Sequence, residues 1–112
     1  DNVYAVGFSN GANAATSLLL LQPESVAGVV AMGNNKVFDD TPFKKGMPDL
    51  TGKRVWIANG AADAYSPQVR VDALIEEFKS LGATVEFMLH SGGHTIAIEH
   101  VRQIAGELAQ IS

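Results

Sequence analysis

The chain has 112 residues, 46% of them apolar and 18% charged, and a formal net charge of −4 at pH 7. Its eight Lys and Arg are scattered, which excludes the basic patch that a nucleic acid or an anionic membrane surface would need. It contains no cysteine, so a disulfide frame, a thiolate nucleophile and a Cys-ligated metal site are excluded as well. The length suits one soluble domain with a core of its own. No apolar stretch reaches the length of a membrane span and no signal-peptide layout is present, so the expected location is cytoplasmic.

In chain order, Val3-Tyr4-Ala5-Val6 is short, apolar and rich in β formers, the pattern of a parallel strand buried on both faces, and it should end at Gly7. The chain enters this strand directly after Asp1-Asn2, which suggests that residues upstream have been removed. Asn10 to Leu21 reads as a helix stopped by Gln22-Pro23. Val26 to Met32 is a second buried strand. Residues 34 to 52 show no helical period and are read as a long loop, a kind that is often functional.

Arg54 to Asn59 is a third strand. Pro67 to Leu81 is an amphipathic helix, with Val71, Leu74, Ile75, Phe78 and Leu81 on one face and Gly82 as its stop. Thr84 to Leu89 is a fourth strand. The last helix carries Ile98, Val101, Ile104, Ala105, Leu108 and Ile111 on one side. Such alternation of strand and helix predicts an α/β fold on a parallel sheet with right-handed crossovers. In sheets of this kind ligands sit beyond the carboxyl ends of the strands, so the polar residues there are the candidates for chemistry.

Gly7-Phe8-Ser9-Asn10-Gly11 lies between the first strand and its helix and fits G-x-S-x-G. A serine on a sharp strand-to-helix turn is held in strained geometry with its hydroxyl exposed above the sheet. The residues two before and two after are expected to be small, because strand and helix backbones nearly touch there. The helix N-terminus supplies N–H groups for a developing oxyanion, the backbone N–H of Asn10 being the first donor. The spacing G-x-G-x-x-G of a dinucleotide turn is not met.

Asp63 follows the third strand and His94 the fourth. Either residue alone would read as an ordinary loop residue, Asp63 as an Asx turn or helix cap. Asp39, Asp40 and Asp49 in the irregular loop and Asp72 on a helix are weaker acids for the role. His90 ranks second to His94, and His100 reads as a solvated or half-buried helical residue. Serine, aspartate and histidine in that chain order, each just past a different strand, are the order of α/β-hydrolases rather than of chymotrypsin or subtilisin. His94 would take the Ser9 proton, and Asp63 would orient the imidazole. Phe38, Phe43, Met47 and Leu50 could line an apolar acyl site or equally be loop anchors.

At these residues the chain resembles a known group. Gly7-Phe8-Ser9-Asn10-Gly11-Ala12-Asn13 is similar to the nucleophile turn of bacterial carboxylesterases of the phospholipase/carboxylesterase branch, near the dienelactone-hydrolase-like proteins. Leu50-Thr51-Gly52-Lys53 leading into Val55 to Asp63 is similar to that family's acid strand, and Leu81 to Glu86 leading to Gly92-Gly93-His94 to its histidine segment.

The resemblance implies a three-layer α/β-hydrolase fold reduced to its last four strands, residues 1–112 forming the C-terminal half of one domain. It implies a carboxylesterase that hydrolyses small-molecule esters through an acyl-enzyme, with no metal or cofactor. Alternatives are a thioesterase or acyl-protein esterase of the same fold, or a non-catalytic interaction module. The half that is missing would carry the second oxyanion donor, whose loss costs roughly 10²–10³ in rate, so the chain alone should be a poor enzyme. The first strand would also be an open apolar edge, expected to pair with the missing half or with a second copy.

Overall fold

Apolar residues that alternate faces along each strand must be covered on both sides, and this requirement organises the molecule. A computed structural model describes residues 3–34 and 47–111. Its elements are β1 (Tyr4–Phe8), α1 (Asn10–Leu21), a 3₁₀ turn (Pro23–Ser25), β2 (Gly28–Met32), β3 (Arg54–Gly60), α2 (Gln68–Ser80), β4 (Thr84–His90) and α3 (Ile98–Ile111). The strands form one sheet in the order β1-β2-β3-β4. All three pairings are parallel, with Ala5 opposite Val29, Val29 opposite Val55 and Val55 opposite Val85.

One face of the sheet carries Val29, Ala31, Val55 and Ile57. It packs on Ala12, Ala15, Leu19 and Leu20 of α1 and on Val71, Leu74 and Phe78 of α2. The other face carries Val30, Met32, Trp56, Ala58 and Met88, with Ile104 and Leu108 of α3 against them. The result is three layers, helices on both sides of a parallel sheet. α1 stops where the Gln22 N–H bonds Leu18 O at 2.8 Å, and Pro23 can continue no helix. No helix among the described residues is long and apolar enough to cross a membrane.

Three expectations change. β1 runs through Phe8, one residue past its expected stop at Gly7, because Gly7 stays in register with Ala31 and Phe8 with Met32. It is not buried on both faces: Val6 is 60% exposed, because on the α3 side it opens onto a groove beside Ile104 and Leu108, and among the described residues β1 pairs only with β2. β3 and β4 each extend one residue further than expected, Gly60 pairing with His90. Of the long loop, residues 35–46 lie outside the described residues. The part that is described is anchored, with Leu50 fully buried and its N–H donating to Leu81 O at 2.7 Å.

Candidate active site

The turn after β1 is set by backbone contacts. Ser9 has φ 59° and ψ −117°, a left-handed value that is rare for a residue with a Cβ. Its N–H donates to Met32 O at the end of β2 (2.8 Å), and its carbonyl accepts the Asn13 N–H (3.1 Å). The turn is thus clamped to the neighbouring strand on one side and built into α1 on the other. A Cβ on Gly7 would run into the carbonyl group of Gly11 and lie 2.6 Å from Ala12 N. The expected smallness holds at Gly7 and not at Gly11, where an added Cβ would meet nothing within 4 Å. The close approach is made by the Gly11 backbone, and its own side-chain direction points outward.

The acid and histidine loops are laced together. The Ala61 N–H donates to His90 O (2.7 Å) and the Ala62 N–H to Gly92 O (3.0 Å). This pairing carries the β3–β4 register past the strand ends and sets Asp63 opposite His94. Asp63 Oδ1 accepts the N–H groups of Tyr65 (2.9 Å) and Ser66 (3.0 Å). Its other oxygen, Oδ2, accepts His94 Nδ1–H at 2.7 Å. With that proton on Nδ1, Nε2 is free to accept from the Ser9 hydroxyl at 2.8 Å. The Asp63 side chain is 1% exposed and that of His94 19%. Bonds to both oxygens fix the buried carboxylate in one orientation, while the imidazole stays within reach of a ligand.

The imidazole lies between two rings, Phe8 at 4.8 Å and Tyr65 at 5.0 Å between centroids. An open cleft of about 380 Å³ is lined by Ser9, Asn10, Tyr65 and His94. Asn10 begins α1, so its N–H belongs to the first turn, where no intrahelical acceptor exists, and Asn10 lines the same cleft as Ser9.

The structure therefore brings Ser9, Asp63, His94 and Asn10 together. It does not bring Met47 to them: that side chain is half-buried against the core packed under α1 and α2. An apolar side chain three residues before the fully buried Leu50 reaches the core more readily than the cleft, so Met47 is an anchor. Phe38, Phe43, Asp39 and Asp40 lie outside the described residues. Asp49 accepts the hydroxyl and the N–H of Thr51 at 2.6 and 3.0 Å, and these bonds hold its carboxyl below the usual range. Asp72 accepts Gln68 Nε2 at 2.7 Å on α2. His90 and His100 pack on each other with centroids 5.4 Å apart, and His100 is buried rather than solvated because its ring turns inward onto the end of β4.

Sequence reasoning missed Tyr65 and Ser66. Tyr65 could have been suspected from its place two residues after Asp63. Nothing in the pattern marks Ser66, fully buried in a polar loop.

No family model matches the sequence. The chain is 28% identical over 101 residues to MhqD of Bacillus subtilis (strain 168), a protein whose name proposes a hydrolase; the match covers 90% of this chain and 48% of that protein. A carboxylesterase structure from Mesorhizobium loti is 32% identical with a TM-score of 0.78, over 92% of this chain and 48% of the other. The structure of Atu2452 from Agrobacterium tumefaciens str. C58, a protein of unknown function, is 35% identical with a TM-score of 0.84, over 99% and 52% of the two chains. The chain spans about half the length of each. Four parallel strands with flanking helices and these likenesses put the chain in the α/β-hydrolase superfamily, where the structures similar to it include carboxylesterases.

Proposed function

We propose that this chain carries the reacting groups of a serine hydrolase acting on carboxylic esters. The carrying observation is the unbroken series Ser9 Oγ to His94 Nε2 at 2.8 Å and His94 Nδ1 to Asp63 Oδ2 at 2.7 Å. Ser9 Oγ attacks the ester carbonyl carbon as its proton passes to His94 Nε2. The Asn10 N–H donates to the oxyanion that forms, and Asp63 stabilises the imidazolium. Collapse of the tetrahedral species breaks the bond to the alcohol, which leaves with the proton from His94. Water then attacks the acyl carbon while His94 takes its proton, and the carboxylic acid departs as Ser9 recovers its hydrogen.

In this reading the three side chains carry every proton and acyl transfer, so no cofactor takes part. The named functions of the similar proteins support a hydrolase. A cytoplasmic setting belongs to the same proposal, on the ground that the chain has no cysteine. Thioesters would react by the same steps, and a panel of p-nitrophenyl esters and acyl thioesters of increasing chain length separates the two substrate classes.

The direct test is labelling with a fluorophosphonate probe followed by peptide mapping. Modification falls on Ser9, and Ser9→Ala and His94→Ala both abolish it. Labelling that survives Ser9→Ala, or that never reaches Ser9, sinks the proposal.

A further inference from the structure

The Asp63 carboxylate is useful only in one orientation, with Oδ2 toward His94. What holds it there is the pair of N–H groups on Oδ1, and one of them belongs to Ser66. Ser66 is fully buried and does not line the cleft at Ser9, yet it places a hydroxyl in an otherwise tight interior. That hydroxyl donates to Gly33 O just past β2, at 3.1 Å. Its own carbonyl accepts Asn59 Nδ2 from β3 at 2.9 Å. The backbone of Ser66 is thereby tied to two strand ends, and its N–H has one place to point.

The partner it chooses makes this more than a loop anchor. Gly33 has φ 65°, and a Cβ built on it would lie 3.0 Å from His94 Cε1, so the backbone that accepts the Ser66 hydroxyl is also the floor under the imidazole. The next residue, Asn34, donates from Nδ2 to Thr16 Oγ1 (3.2 Å), and Thr16 Oγ1–H donates to Ala12 O (3.0 Å) in α1, the helix that starts beside Ser9. One buried set of hydrogen bonds connects the nucleophile's helix, the floor of the histidine and the loop of the acid.

We infer that Ser66 is a positioning residue, its hydroxyl bond to Gly33 setting the Asp63 carboxylate against His94; the inference rests on the triad reading above. Side chains that misplace a reacting group by a fraction of an ångström change rate far more than they change stability, so the role is separable from packing.

The test uses the 112-residue chain. Proton NMR on histidine-labelled protein reads the downfield Nδ1–H of His94, which is sensitive to its bond with Asp63 whether or not Ser9 reacts. In Ser66→Ala, with far-UV circular dichroism unchanged, this resonance moves upfield or broadens, and fluorophosphonate labelling of Ser9 slows by at least about tenfold. Ser66→Cys, near in shape and a weaker donor, falls between wild type and Ser66→Ala, and it decides the question if Ser66→Ala does not fold. A resonance unmoved in the folded variant overturns the inference, whatever the melting temperature does, because a purely structural serine predicts that result. A wild-type chain that shows the resonance, shifts it on Ser66→Ala and yet takes no label sinks the nucleophile reading and leaves this one standing.

Discussion

Ser9 holds a sparsely populated backbone conformation, φ 59° and ψ −117°, of a kind that costs about 1–3 kcal/mol. It persists because the Ser9 N–H and carbonyl are both bonded into regular structure. The two glycines around it differ in kind. Gly7→Ala drives a methyl into the Gly11 carbonyl, and overpacking backbone against backbone costs about 1–3 kcal/mol or more. Gly11→Ala adds a methyl in open space within a helix, where Ala is favoured over Gly by up to about 1 kcal/mol. Urea unfolding therefore shows a clear loss of midpoint for Gly7→Ala and none for Gly11→Ala; equal losses would show that the turn is not packed this way. The G-x-S-x-G spacing was readable from the residues, but which glycine the packing needs was not, because it depends on how the helix leans over the strand.

Among the elements, α3 is joined to the sheet by a polar cluster as well as by Ile104 and Leu108. Trp56 Nε1–H donates to Glu107 Oε1 at 3.0 Å, Arg54 lies over the Trp56 ring at 5.2 Å, and Gln103 donates to Glu107 Oε2 at 3.1 Å. Glu86 of β4 faces the same carboxylate. Its hydrogen bond to Glu107 raises its carboxyl above the ordinary 4.5, with some desolvation and the Glu107 charge adding to this and Arg54 opposing it. Bonds from Trp56 and then Glu86 lower that of Glu107. A raised carboxyl stabilises the fold when protonated, and that contribution is lost as pH climbs through its folded value. The lowered Glu107 acts oppositely, its contribution being lost as pH falls through its own. Glu86→Gln keeps a donor toward Glu107 without a charge to gain. Its stability relative to wild type should therefore rise as pH increases from about 4.5 toward neutrality, and thermal melts across that range measure it. A pH-independent difference would remove the shared-proton account.

At the scale of the whole fold, the two sides of β1 are unequal. Toward α1 it is covered; toward α3 it ends at an apolar groove of about 160 Å³ lined by Val6, Val30, Met32, Val101, Ile104, Ala105 and Leu108. Val3 and Val6 are 58% and 60% exposed, and an apolar strand edge that pairs with no further strand among the described residues is a template for another chain. The similar proteins are about twice as long, and a further strand would cover this edge. The 112-residue chain on its own is expected to self-associate there. Light scattering at tens of micromolar gives a dimer or larger for wild type and a smaller mass for Val6→Lys, whereas a monomeric wild type counts against an accessible edge.

Element order and the parallel sheet were legible in the residues alone, because a period of two or of 3.6 in apolar positions is local information. Ser9, Asp63 and His94 could be singled out in the same way, since a place just past a strand end is read from the strand itself. Folding in three dimensions was needed to put β1 at an edge, to give Met47 to the core, to bury His100 and to set Ser66 behind the acid. Each of these depends on which surfaces meet across long stretches of chain, and no window of neighbouring residues contains that distance.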